Sequence, residues 1–376
     1  MGRRALRRQM TGKESAVAFD PIQEDCLRLI LANMKRDGVQ LLNDPRYIER
    51  ASDAFQNDPS VLIRTDRDRS FHLVAQATEI VDYRAPFAAT EAEAEAQFNT
   101  AEDYLREAAE LDPLNWDAQR MLATLQSDSD DELVSYLVEH LDEVAAEAEG
   151  LIEKASDPYD LEFARDLGQR AYQRWLAALS SRLLIAGRYR MALTYAERGL
   201  EANPLDPAGI RHTGMLALAK LEVAPDELKR YRARHAAAYQ IAIQSPSRRP
   251  HAGGHRPDAW SLIAQMSLAY RSFDLEGATA ALRSIMRVYP RAAQPLYFQA
   301  EFPDGVFSRV NVQPGSEDEL VLALSEATPL LQEGMGTPDS ASFSLWIAEH
   351  ELVRRALDAQ DTRVRPEAHG GTGGER

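Results

Sequence analysis

Apolar residues recur along most of this chain at intervals of three and four, the spacing that lines one face of an α-helix. Ile22, Cys26, Leu27, Ile30, Leu31 and Met34 form one such stripe. Asp20 precedes it as a cap, with Pro21 in the first turn and Gln23 at the capping-box position, which predicts a helix of about four turns. Phe71, Val74, Thr78 and Val81 predict another, and residues 90–113 are built from strong helix formers up to Pro113. The Ser129/Glu132 pair opens a predicted helix through residue 154, striped by Leu133, Leu137, Leu141, Val144, Ala148 and Leu151. Residues 226–244 have the same character, and Ser316 with Glu319 opens a helix expected to reach about Gln332 and stop near Gly334. Strand signals are confined to residues 61–65 (VLIRT) and 302–312, the latter holding a Pro-Asp-Gly turn. The expected fold is all-α with a small non-helical insert near 297–315.

The stretch 186–207, AGRYRMALTYAERGLEANPLDP, adds a second, longer period. Gly187 suits a turn, Ala192 is a small residue where two helices would cross closely, Tyr195 and Leu200 fall on the packing face, and Pro204 ends the helix because it has no N–H to donate. Upstream, Leu176, Leu179, Ser180 and Leu183 supply the face of a preceding helix, giving a helix-turn-helix unit. The stretch 206–221 continues in register with Ile210, Gly214 and Ala217. An earlier echo places Ala101, Leu105, Ala108 and Pro113, then Leu122 and Ala123, in matching positions. A later one places Trp260, Ile263, Ala264, Ala278, Leu282, Met286 and Pro290, with about two extra residues expected in its turn.

This spacing of large, small and proline positions resembles the tetratricopeptide repeat, at Leu176, Leu179, Ser180, Leu183, Ala192, Ala196, Gly199 and Pro204. Ala196 departs from the pattern, which prefers a large residue there. The marker prolines Pro113, Pro204 and Pro290 lie 91 and 86 residues apart, not whole multiples of the roughly 34-residue repeat, so the array is irregular. The resemblance implies a right-handed superhelical stack of antiparallel helix pairs, an α-solenoid. The expected organisation is an N-terminal helical region over 1–90 with a disordered basic start, the repeat region over 91–292, a helical cap over 293–358 and a tail over 359–376 with too little apolar surface to fold. The resemblance also implies a non-catalytic scaffold that binds a peptide or protein partner in a groove lined by the first helices of each pair. In that register Arg120, Arg174, Arg211, Met215 and Gln265 face the groove, where arginines could hold a ligand carboxylate, although structural ion pairing with acidic neighbours is the favoured role of each arginine. The lysine and asparagine set with which some relatives grip a chaperone C-terminus has no counterpart here.

Composition narrows the picture. The 376 residues are 44% hydrophobic and carry a net charge of −16, which disfavours nucleic acid unless basic residues are segregated. They do cluster at Arg3, Arg4, Arg7 and Arg8 and again around 248–256, so a local anion site stays open. No run is apolar enough for a membrane span. The charged start is followed by Thr11 to Ser15, where a signal peptide needs an apolar stretch. The single Cys26 excludes an intramolecular disulfide, and a cytoplasmic protein, able to form homo-oligomers, is expected. From Met121 to Glu153 ten residues are acidic and none is Lys or Arg, a solvated acidic face or a dock for a basic partner.

Candidate chemistry is thin. No glycine-rich phosphate loop or nucleophile elbow stands out, His251 and His255 flank a glycine pair, and Cys26 falls on an apolar stripe as a core thiol. No cofactor and no metal are expected. Two alternatives remain beside the scaffold: a regulatory helical-repeat subunit of a bacterial transcription or signalling assembly, and a helical enzyme holding a metal through histidines scattered at His72, His140, His212 and His235.

Overall fold

In the computed structural model, residues 20–39, 44–240, 257–299, 312, 314–332 and 342–364 are described. They are helical throughout, with no strand among them. They fall into two compact units. The first takes in 20–39, 44–217 and 232–240 with 312; the second takes in 218–231, 257–299, 314–332 and 342–364.

The first unit begins with α1 (Pro21–Arg36), α2 (Tyr47–Asn57), α3 (Asp66–Glu79), α4 (Glu91–Leu111) and α5 (Trp116–Gln126). It continues with α6 (Asp130–Glu139), α7 (Leu141–Glu153), α8 (Pro158–Phe163), α9 (Arg170–Ile185) and α10 (Tyr189–Ala202). Then follow α11 (Ile210–Lys220), α12 (Pro225–Arg234) and α13 (Ala236–Gln240), of which α11 and α12 run across the division between units. The second unit holds α14 (Ala259–Arg271), α15 (Leu275–Val288), α16 (Ala293–Tyr297), α17 (Glu317–Glu326), α18 (Thr328–Leu331), α19 (Ser342–Glu349) and α20 (Glu351–Val364).

Local chemistry sets these boundaries. Asp20 caps α1 by accepting the Gln23 N–H, Thr90 caps α4, Ser129 caps α6 and Ser316 caps α17, each satisfying a first-turn donor that the helix cannot. The VLIRT run forms no strand. Asp58 and Pro59 start a 3₁₀ turn over Pro59–Leu62, and Thr65 forms a reciprocal capping box with Asp68 for α3, so two helix starts occupy the run. The long helix expected over 131–154 breaks at His140, whose ring Nδ1 lies 3.0 Å from the Tyr136 carbonyl oxygen. The apolar stripe survives the break: Leu133, Leu137, Leu141, Val144 and Ala148 are all buried. The helix over 226–244 breaks at His235, between α12 and α13, and its last residues lie outside the described set. The helix from Ser316 ends at Glu326, because Pro329 cannot continue it and instead sits in the first turn of α18. Gly334 and nearly all of the 302–312 stretch lie outside the described residues. The last helix reaches Val364, within the stretch read as a tail.

Two helical hairpins carry the repeat positions. In the first unit α9 and α10 pack with Leu176, Leu179, Ser180, Leu183, Ala192 and Ala196 at 0% exposure, while Pro204 is exposed beyond the helix end. The connector is a Schellman turn: Gly187, at φ +74°, donates to Leu184, and Arg188 donates to Leu183. At Gly199 a side chain would require the tip of Ile210 to shift. A Cβ there would lie 2.5 Å from Ile210 Cδ1, so its absence makes room for that side chain of the next helix. In the second unit α14 and α15 are joined by the same turn, with Phe273 (φ +61°) in the glycine position. The two extra residues expected in that connector fall within α14 instead, since both connectors are three residues long. Upstream, α3 and α4 form a third antiparallel pair around Leu73, Val74, Ala77, Ala101, Leu105 and Ala108.

Candidate functional site

A buried charge cluster organises the first unit. Glu24 lies in the early turns of α1 and is 1% exposed. Its Oε1 accepts Arg28 Nη2 at 2.7 Å, and its Oε2 accepts Arg170 Nη1 and Arg174 Nη1, both at 3.0 Å. Arg174 also reaches Asp117 on α5, donating from Nε to Oδ1 at 2.7 Å and from Nη2 to Oδ2. One guanidinium thus joins α1, α5 and α9. Asn115 fixes Asp117 locally: its carbonyl caps α5, and its amide donates to Ser70 Oγ, which donates to the Ala108 carbonyl.

Burial alone would raise both carboxyls. The arginines prevail: Glu24, ringed by Arg174, Arg28 and Arg170, is held far below the usual carboxylate range, and Asp117 is lowered by Arg174. Burial lowers Arg28, whose guanidinium lies 3.9 Å over the Phe71 ring and donates to the Leu167 carbonyl. Leu167 belongs to a π turn over Ala164–Gly168, and the wider winding there is a feature frequent at functional sites. Beside Glu24, Asp25 faces a histidine. The Gln76 amide donates to His72 Nε2 at 3.0 Å, so Nδ1–H donates to Asp25 Oδ2, 2.6 Å away. Desolvation raises the Asp25 carboxyl despite this bond.

A cleft of about 240 Å³ opens beside this cluster. Its wall is largely apolar and aromatic, with Leu29, Phe71, Trp116, Tyr159, Phe163 and Tyr172 among the lining residues. The lining cations are engaged by neighbours: Lys35 by Asp160, Arg36 by Asp68, Arg67 by Asp112 and Glu147, and Arg28 by Glu24. Trp116 is held edge-on by Trp175 at 5.6 Å, and the Trp175 indole donates to the Leu137 carbonyl.

Comparison of the chain with protein-family models, curated proteins and solved structures finds no match. The residues themselves carry the functional reading.

Of the five groove candidates, Arg120 and Arg174 share Asp117, with Arg120 Nη2 3.5 Å from Oδ1. Arg211 is 5% exposed and held by Asp206, which accepts Arg211 Nη1 at 2.9 Å and the backbone N–H of Ile210. Met215 is fully buried, and Gln265 lies partly buried in the second unit. The structure therefore joins Arg120 and Arg174 at one carboxylate, and Arg211 and Met215 lie one turn apart on α11. The acidic stretch is partly answered by the first hairpin, where Arg182 meets Asp130 and Arg188 meets Asp131. Among the described residues no three His, Cys, Asp or Glu are grouped to hold a metal ion, and no helix is long and apolar enough to cross a membrane. Cys26 is half-buried between two apolar clusters, and burial pushes its thiol up to about 11.

Glu24, Asp25, Asp117 and Trp116 were not singled out by periodicity, and His72 was named only among the scattered histidines of the metal-enzyme alternative. One sequence signal points toward the cluster. Arg170 and Arg174 are like charges one helical turn apart, an arrangement that repels unless an anion lies between them.

Proposed function

We propose that the chain is a non-catalytic recognition protein of the tetratricopeptide type, in which antiparallel helix pairs stack as a right-handed superhelix and hold a segment of a protein partner. The observation that carries this reading is the packing of Gly199 against Ile210, where a missing side chain makes room for the Ile210 side chain of the next helix. Burial of Leu176, Leu179, Leu183 and Ala192 on the same hairpin supports it, since these are the positions at which such repeats interlock.

The arginine groove of the register is a less suitable seat than the cleft of the first unit. Arg174 and Arg211 are committed to buried carboxylates, and releasing either would leave a charge stranded. The cleft offers aromatic walls around a rigid, ion-paired floor, the combination that anchors a side chain with little ordering cost.

Ala32 and Ala171 line the cleft without belonging to the charge cluster. Ala32→Phe and Ala171→Phe fill it. Capture of partners from the source cell is expected to yield one protein with the native chain and to lose it with either filled variant, while thermal unfolding stays near native. Equal capture by all three chains would remove the cleft from the proposal.

A further inference from the structure

Ten charged residues line the cleft, six acidic (Asp25, Asp68, Asp112, Asp117, Glu147, Asp160) and four basic (Arg28, Lys35, Arg36, Arg67). Four of the six carboxylates are held closely. Asp25 meets His72 at 2.6 Å, Asp68 meets Arg36 at 2.6 Å, Asp117 meets Arg174 at 2.7 Å and Asp160 meets Ser156 at 2.8 Å. Asp112 and Glu147 are held loosely. Asp112 follows the end of α4, where its Oδ1 accepts the Leu114 N–H and leaves Oδ2 for a cation. Glu147 shares one face of α7 with Val144, Ala148 and Leu151, all of which line the cleft. Among the described residues both carboxylates share a single cation, Arg67, whose Nε lies 3.6 Å from Asp112 Oδ2 and whose Nη2 lies 3.5 Å from Glu147 Oε1. All three groups have accessible surface: the Asp112, Glu147 and Arg67 side chains are 17%, 19% and 58% exposed. An ion pair so long and so exposed adds little to stability, so exchanging Arg67 for another cation costs little. Both oxygens already face one guanidinium, and their separation therefore suits one such group. The surrounding field favours a cation too, since Glu147 lies in the stretch 121–153, which holds ten acidic residues and no Lys or Arg. An anion would meet six carboxylates against four cations, three of them committed to Glu24, Asp160 and Asp68.

We infer that this edge of the cleft seats an arginine from a segment of a partner protein, whose guanidinium replaces that of Arg67 between Asp112 Oδ2 and Glu147 Oε1. The inference rests on the recognition reading above and names the partner's chemistry. A planar, five-donor fork serves two carboxylate oxygens at once better than a lysine ammonium does. The methylene stem behind it finds apolar lining in Leu114, two residues after Asp112, and Leu151, one turn after Glu147. Arg67 occupies the seat while no partner is bound and swings out to solvent when one arrives.

Four blocked tripeptides, acetyl-Ala-X-Ala-amide with X as arginine, citrulline, lysine or glutamate, are titrated into the full chain by calorimetry at low salt. Citrulline keeps the shape of arginine and removes its charge. The arginine peptide is expected to bind about tenfold tighter than the citrulline peptide, the ratio for one charge-assisted contact, with lysine between them. Its binding is expected to weaken as salt rises. Glu147→Gln is expected to weaken it about tenfold, and Arg67→Ala to tighten it because the resident competitor is gone. Both changes fall on a long, exposed pair, so thermal unfolding stays near native. The inference is overturned if citrulline equals arginine, if glutamate binds tightest, if Arg67→Ala weakens arginine binding, or if no peptide binds. Any of these with partner capture still lost in the filled variants would discard the arginine seat and leave the recognition reading standing. Arginine binding that depends on Glu147, with capture unaffected by filling, would do the reverse.

Discussion

The hairpins α9/α10 and α14/α15 share a turn and differ in what holds them. In the first, α9 sends Arg170 and Arg174 outward to carboxylates on α1 and α5, and α10 uses a glycine to admit the next helix. In the second, α14 is buried nearly all round through Ala259, Trp260, Leu262, Ile263, Ala264, Met266 and Leu268, and its Trp260 indole donates to Glu326. Where Gly199 gives way in the first hairpin, the corresponding residue of α15 is Ile285, fully buried. One turn geometry therefore serves two kinds of interior, one keyed by ions and a side chain set against glycine, the other filled by side chains.

The largest expected effect tests the ionic key. Glu24→Gln leaves three arginines around a neutral amide and is expected to cost about 3–5 kcal/mol in chemical denaturation, the range for breaking a buried pair. The sign of the pH dependence follows from the depressed carboxyl: its contribution is complete above the usual carboxylate range and is lost as pH falls through the lower folded value. The native chain should thus lose stability in acid more steeply than the variant. Parallel acid profiles would show that Glu24 is not the anion that balances α9.

A smaller effect tests the close approach. Gly199→Ala puts a methyl against Ile210 and is expected to cost about 1–3 kcal/mol as overpacking. The double change with Ile210→Val should recover part of that loss, and additive costs would break the claim of direct contact.

The smallest tests the shared turn. Phe273 is 90% exposed and holds a left-handed backbone, so Phe273→Gly removes a steric penalty and is expected to stabilise by up to about 1 kcal/mol, whereas Gly187→Ala should destabilise by a similar amount. Shifts of the same sign in thermal unfolding would show that the two connectors differ.

Helix positions were legible because capping and apolar spacing are local: Asp20, Ser129 and Ser316 act where their side chains say they should. The breaks at His140 and Ala327 arise from a ring bonding to its own helix and from Pro329, and the apolar stripe runs on regardless, so periodicity alone passes over them. The turn of the second hairpin was harder. Phe273 carries none of the signal that Gly187 does, and the extra residues were assigned to the connector instead of the helix. The cleft was hidden for a different reason: Glu24, Asp117 and Arg174 look like ordinary surface charges one at a time, and only their meeting across 57 and 150 positions buries them. Arg120 and Arg174 were marked as charges of interest, without the carboxylate that joins them.

That long reach governs how the chain can assemble during synthesis. Each hairpin closes through neighbours a few turns away and can form as it leaves the ribosome, but α1 emerges about 150 residues before the arginine that neutralises Glu24. Until α9 has been made, α1 carries an acidic group it cannot bury, so it is made early and is among the last elements to find its place.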